Sequence, residues 1–178
     1  WLQRQLNDPY VEAGSREGYR SRAAFKLAEM DDRFRVLQKG SKVIDLGAAP
    51  GGWTQVIVEA TGAKNRSTGA RVVAVDIQPM DPVEGAQIMT LDFLGDGAAE
   101  AIMAQLGGEA DAVLSDMAPA MTGHAKTDHL RIMAMAEAAF EFVEEGLAPG
   151  GVFIAKVLQG GAEEALLAKM KQRFATVR

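Results

Sequence analysis

From Lys42 onward the apolar positions fall into two alternating patterns, short runs rich in β-branched residues and longer stretches whose apolar residues recur every three or four positions. The short runs, 42–46, 71–77, 87–92, 110–117 and 151–158, predict β-strands. The longer ones predict helices at about 53–60, 97–106, 127–146 and 161–174. Within 127–146, Ile132, Ala136, Ala139 and Val143 share one face, and Glu137, Glu141, Glu144 and Glu145 fall on another. Leu166, Leu167, Met170 and Phe174 repeat the pattern in the last helix. Ahead of the first strand, 21–33 predicts a helix with Ser21 as N-cap and Ala23, Leu27 and Met30 facing inward. Strands alternating with helices in this way predict an α/β fold, a mostly parallel central sheet with helices on both faces. Polar or Pro/Gly-rich turns at 62–69, 79–85 and 148–151 fall where that alternation needs them.

The length, 178 residues, suits one core and is too short for two, so 1–178 reads as a single domain with 1–41 as a helical segment packed on it. The chain begins at Trp1 and stops at Arg178, where a further strand is expected to start, so sequence beyond both ends is expected. It contains no cysteine, which removes disulfide frameworks, thiolate zinc sites and thiol nucleophiles, and fits a reducing, cytoplasmic setting. No stretch approaches the roughly 18 uninterrupted apolar residues of a membrane span, and no membrane partner is expected. The net charge of −5 argues against a nucleic-acid partner until its distribution is considered. Residues 1–42 hold nine basic and six acidic side chains, and the excess is concentrated in Arg16, Arg20, Arg22 and Lys26.

The clearest chemical signal is Val43-Ile44-Asp45-Leu46-Gly47-Ala48-Ala49-Pro50-Gly51-Gly52-Trp53, a buried strand running through a glycine-rich turn into a helix. Open α/β sheets bind ligands beyond the carboxyl ends of their strands, and Gly47, Gly51 and Gly52 would let the backbone approach one closely. The spacing is not the G-x-G-x-x-G that cradles a pyrophosphate, and Pro50 lacks the N–H an anion would want, so a nicotinamide dinucleotide is disfavoured. Asp76 closes the second strand, placed for a ribose diol, and Asp92 the third, placed for an adenine amino group. A nucleoside without phosphates fits, and S-adenosylmethionine adds an ammonium suited to Asp45 or the strand-end carbonyls.

The fourth and fifth strand ends offer Ser115-Asp116-Met117-Ala118-Pro119 and Ile154-Ala155-Lys156-Val157. The first is not the polar-Pro-Pro-aromatic turn of exocyclic amine methylation, and carbon-5 methylation needs a cysteine. A lysine at a buried strand end is costly unless paired or partly deprotonated. Desolvation and a second cation, supplied by Lys26 if its helix lies over the strand ends, would make Lys156 a base able to deprotonate a hydroxyl, with Asp116 balancing charge. His124 and His129 read as residues of the loop after the fourth strand, and no metal-ligand spacing joins them to others.

Five ordered motifs, Arg20-Ser21-Arg22-Ala23-Ala24-Phe25-Lys26-Leu27, the glycine loop, Asp76-Ile77-Gln78-Pro79-Met80-Asp81-Pro82, Ser115-Asp116-Met117-Ala118-Pro119 and Lys156-Val157-Leu158-Gln159-Gly160, resemble those of the FtsJ/RlmE ribose methyltransferases across essentially the whole chain. The resemblance implies a Rossmann-like S-adenosylmethionine-dependent methyltransferase fold. It implies 2′-O-methylation of a uridine in the A-loop of 23S ribosomal RNA on the 50S subunit; a cytoplasmic monomer is expected. It also implies a Lys-Asp-Lys-Glu tetrad whose first three members fall on Lys26, Asp116 and Lys156, with the glutamate beyond Arg178; Glu163 and Glu164 do not match its position. Cofactor contacts fall on Gly51, Trp53, Asp76, Asp92 and Asp116, and Arg16, Arg20 and Arg22 would grip RNA phosphates at the entrance. A related enzyme acting on transfer RNA or an mRNA cap, and a non-catalytic ribosome-assembly factor, are the competing expectations.

Overall fold

The computed structural model describes residues 18–157 and 163–178. Helix α1 (Ala23–Phe34) precedes β1 (Lys42–Leu46), α2 (Gly52–Thr61), β2 (Arg71–Asp76), β3 (Ala86–Thr90), α3 (Ala98–Leu106), β4 (Ala110–Ser115), α4 (Ala125–Gly146), β5 (Leu147–Ala155) and α5 (Glu163–Arg173). The strands form one sheet in the order β3-β2-β1-β4-β5, and every neighbouring pair is parallel.

Period-2 alternation sends successive strand residues to opposite faces. Val43, Val72, Ala112 and Leu114 pack with Ala24 and Leu27 of α1 and Trp53, Val56 and Ile57 of α2. Ile44, Leu46, Val73, Val75 and Val113 pack with Ile102 and Leu106 of α3 and Ala139 and Val143 of α4. Fully burying each of these aliphatic side chains contributes about 1.5–3 kcal/mol, so the sheet interior anchors whatever its strand ends carry. Ala110 joins the second face although Ala112 lies on the first, and the β4–β5 register shifts between them.

Among the described residues all the expected elements form, with differences at their ends; 158 of the expected fifth strand and 161–162 of the expected last helix lie outside them. Ile77, Asp92, Met117 and Val157 lie just past their strands. Conversely, 148–151, expected as a tight turn, is taken into β5, whose first pair, Leu147 with Ala110, precedes the register shift. Ser21 does not cap α1: Arg22 holds the N-cap position without a side-chain bond, and the Ser21 carbonyl accepts from Ala24 N–H at 3.2 Å. Ala24 and Leu27 are the fully buried positions of that helix, with Ala23 and Met30 half-buried. Leu167 is exposed, whereas Leu166 packs with Met133, Ala136 and Phe140. Residues 174–178 form no strand; Phe174 instead stacks on Phe153 and tilts against Phe140, with centroids 6.3–6.4 Å apart.

Candidate active site

Chain order and spatial order differ along the carboxyl edge of the sheet. Across that edge the polar strand-end residues run Asp92, Asp76, Asp45 beneath the glycine loop, Asp116 and Lys156. The chain winds outward from β1 through β3 and then crosses back to lay β4 on the other side of β1. A crevice opens at such a reversal, between the glycine loop after β1 and the turn after β4.

The glycines serve the protein's own packing as much as any ligand. Gly47 has φ +76°, and a Cβ there would lie 2.7 Å from the Met117 main chain, which leaves β4 beside it. At Gly51, φ +107°, a Cβ would meet Arg20 Nη1 at 2.9 Å, and at Gly52 it would strike Ser21 Oγ. The loop is fixed at its root by Gly47 and Ala48 N–H donating to the Val75 carbonyl. Arg20 acts as a clip over it: Nη1 donates to the Pro50 carbonyl at 3.3 Å and the Asp81 carbonyl at 2.6 Å, and Nη2 to the Pro82 carbonyl at 2.7 Å. Its main-chain N–H donates to Gln55 Oε1 of α2. The guanidinium thus ties the glycine loop to the loop after β2, a job its charge alone did not announce.

Trp53 has its side chain in the core, 7% exposed, with Nε1–H donating to the Ala23 carbonyl at 2.8 Å. Its indole therefore fastens α1 to α2, and only its main-chain N–H, in the first turn of α2, is of the kind a ligand can use. Asp76 braces the edge: Oδ2 accepts from Ala49 N–H at 2.9 Å and Oδ1 from Gln78 N–H at 2.8 Å. A carboxylate has roughly four acceptor positions, so capacity remains for hydroxyls. Ile77, which follows it, is 67% exposed, an apolar surface beside that carboxylate that sequence reading passed over. Asp92 lies two residues beyond β3, exposed, with Oδ1 accepting from Leu94 N–H at 3.0 Å.

Asp45 is wholly buried. Its Oδ2 accepts from Thr54 Oγ1 at 2.6 Å, and its Oδ1 has no hydrogen-bond partner. Burial pushes its carboxyl up to about 7, against the Thr54 bond and assisted by the charges of Asp116 and Asp76. The remaining acceptor capacity of Asp76 and the exposed Ile77 fit the ribose diol and base of S-adenosylmethionine, whereas the buried Asp45 oxygens are not open to its ammonium, which leaves the strand-end carbonyls for that group.

On the other side of the reversal, Lys156 Nζ lies 2.5 Å from Asp116 Oδ1 and donates to the Asp116 carbonyl at 3.1 Å. Main-chain bonds from Asp116 N–H to Leu46 and from Lys156 N–H to Ser115, each 2.9 Å, set the pair at the strand ends. The pair is open to water, 38% and 26% exposed, rather than sealed as a buried lysine would be. Lys26 is exposed on α1, and its side chain makes no hydrogen bond or ion pair among the described residues. Arg22 is exposed beside it, and Arg16 lies outside the described residues.

The loop after β4 holds a feature the sequence reading missed. Asp128, 1% exposed, accepts from Thr122 N–H and Oγ1–H, both at 2.7 Å, and from Gly123 N–H at 3.1 Å. These bonds, led by the Thr122 N–H, hold its carboxyl below the usual range. An acidic residue in the first turns of a helix was the available signal. His129 is not a loop residue: it lies buried in α4, its Nε2 4.0 Å from Glu163 Oε2. His124 holds the exposed N-cap position of that helix.

Comparison with known proteins gives a consistent picture. Residues 19–178 match the family described as FtsJ-like methyltransferase. The whole chain is 58% identical over 183 residues to the ribosomal RNA large subunit methyltransferase E of Parvibaculum lavamentivorans, of which it covers 72%. It is 56% identical to that of Paramagnetospirillum magneticum, covering 73%. A crystal structure described as a ribosomal RNA methyltransferase of Plasmodium falciparum superposes with a TM-score of 0.79 at 27% identity, over 90% of each chain.

Proposed function

The chain belongs to the FtsJ-like methyltransferase family, and from that premise we propose that this methyltransferase acts on large-subunit ribosomal RNA, moving a methyl group from S-adenosylmethionine to the 2′-hydroxyl of an A-loop uridine. The observation that carries the 2′-O reading is the Lys156–Asp116 pair beside the sheet's reversal point. It sets a base and its counter-charge next to the crevice that would hold the donor.

Asp76 and Asp92, with the main chain at Gly51 and Trp53, would hold the cofactor, and Asp116 borders both halves of the site. S-adenosylmethionine supplies a methyl group already activated as a sulfonium, so the protein's main tasks are positioning and proton removal. Lys156 Nζ, in its uncharged form, takes the 2′-hydroxyl proton as the oxygen attacks in line. Lys26, exposed on α1, is assigned as the second lysine of the site, with Asp116 orienting Nζ. Arg22 and Arg16 grip phosphates. Arg20, with both terminal nitrogens on carbonyls, mainly shapes the cofactor loop and reaches phosphate with what donors remain. The protein is read as a cytoplasmic monomer that acts on the 50S particle.

Calorimetry with S-adenosylmethionine, followed by labelled transfer to large subunits from a strain lacking the activity, tests this reading. One labelled ribose, mapped to the A-loop, is expected. Label on transfer RNA alone would overturn the ribosomal assignment, and absence of cofactor binding would leave an assembly factor.

A further inference from the structure

The nine residues between β4 and α4 begin at Asp116, half of the proposed catalytic pair, and are held at both ends. At the near end, Asp116 N–H donates to the Leu46 carbonyl, and the Met117 main chain lies so close to Gly47 that no Cβ fits between them. At the far end the buried Asp128 carboxylate accepts the three bonds from Thr122 and Gly123. Arg131, one helical turn on, donates from Nη1 to the Ala120 carbonyl at 2.9 Å. His124 N–H closes onto Thr122 Oγ1 at 3.2 Å, and Asp128 N–H onto the His124 carbonyl at 2.9 Å. A loop on the surface is ordinarily more mobile than the elements it joins; this one has the main chain of Ala120, Thr122 and Gly123 tied to side chains of one helix.

What the tether presents is Met121, 65% exposed and flanked by the tied Ala120 and Thr122, in the loop that Asp116 opens. Val157, 40% exposed, directly follows Lys156 on the neighbouring strand end. Exposed apolar side chains on the two segments that carry the charged pair suit a flat, partly apolar group whose sugar is to reach that pair. A nucleobase turned out of its stack is such a group, since every base offers a face to a flexible thioether or an aliphatic side chain.

We infer that Asp128 and Arg131 are positioning residues that fix the 116–124 loop as one wall of the acceptor pocket, with Met121 as the surface on which the target nucleobase rests. This inference depends on the proposed RNA methylation, and deepens it by naming how the acceptor nucleotide is seated. Neither residue touches the reacting atoms, so their effect should fall on RNA binding and leave chemistry and cofactor affinity alone.

Steady-state methylation of large subunits by Asp128→Ala, Asp128→Asn, Arg131→Ala and Met121→Ala proteins provides the test, with calorimetry of S-adenosylmethionine and amide exchange alongside. Asp128→Ala should raise KM for the subunit about tenfold at similar kcat, the loss of roughly one base-stacking contact. Its cofactor affinity should be unchanged, and exchange at Thr122 and Gly123 should speed up. Asp128→Asn, which keeps an acceptor for Thr122, should fall between it and the parent, while Met121→Ala, an exposed change that does not threaten folding, should raise KM severalfold. If the parent methylates normally and Met121→Ala and Asp128→Asn keep its KM, the inference is overturned while the function stands. A parent that transfers no label defeats the functional reading itself.

Discussion

The two halves of the sheet's carboxyl edge present different surfaces. On the β1–β3 side the main chain sets the geometry: glycines admit neighbouring backbone and side chains, Arg20 clips two loops through their carbonyls, and Asp76 holds Ala49 and Gln78 by their N–H groups. On the β4–β5 side the main chain is held in the same way, but what faces outward is an ion pair open to water and exposed apolar groups. A small ligand of fixed shape is matched best by backbone that cannot move. A nucleotide arriving as part of a large particle needs an accessible face with a charged centre. The difference teaches that donor and acceptor recognition, on the proposed function, can be perturbed separately.

The largest expected effect separates chemistry from cofactor binding. Lys156→Ala should lower methyl transfer by roughly 10²- to 10⁴-fold, the usual contribution of a general base, with S-adenosylmethionine affinity retained in calorimetry. A Lys156→Ala protein working at the parental rate would remove the acceptor half of the comparison.

Next comes the buried acid under the donor half. The Asp45 carboxyl sits at about 7 in the folded protein, against about 4 when unfolded. The folded state therefore keeps a proton that the unfolded chain releases between those values. Stability should fall as pH rises through that window, by up to roughly 4 kcal/mol, and level off above it. Urea titrations across that range should show Asp45→Asn losing this part of the slope; parallel curves for the two proteins would contradict it.

The seam between the halves gives the third test. Gly47→Ala places a Cβ 2.7 Å from the Met117 main chain at positive φ, and should cost about 2–4 kcal/mol in urea unfolding from overpacking plus backbone strain. Gly69→Ala, also at positive φ but with open space around it, should cost only about 1 kcal/mol, which isolates the clash.

The smallest effect concerns the entrance. Arg22→Ala should weaken binding to ribosomal RNA a few-fold and reduce the salt dependence by about one phosphate contact, without changing cofactor affinity. An unchanged salt slope in filter binding would take Arg22 out of the RNA-binding set.

Element positions and the layered architecture were legible because hydrophobic periodicity survives in any parallel α/β sheet: Val43 and Ile44 must go to opposite faces whatever the neighbours are. The glycine loop, Asp76 and the Asp116 and Lys156 motifs were visible because their residue types are restricted by chemistry. Trp53 was read toward the cofactor, yet its indole is in the core, since sequence does not say which part of a residue meets a ligand. Asp128 was passed over and His129 placed in a loop because local pattern carries no record of burial.

Hydrophobic periodicity and residue type settle the alternation of strands and helices, the absence of thiol chemistry in this stretch, and the set of acids and lysines able to do the work. Tertiary structure decided their order across the edge, 92, 76, 45, 116, 156, because adjacency in a sheet follows winding, not chain position. It alone brought Lys156 to Asp116, made Arg20 a clip and left an Asp45 oxygen without a donor. Those outcomes depend on distances between segments far apart in the chain, which no local pattern encodes.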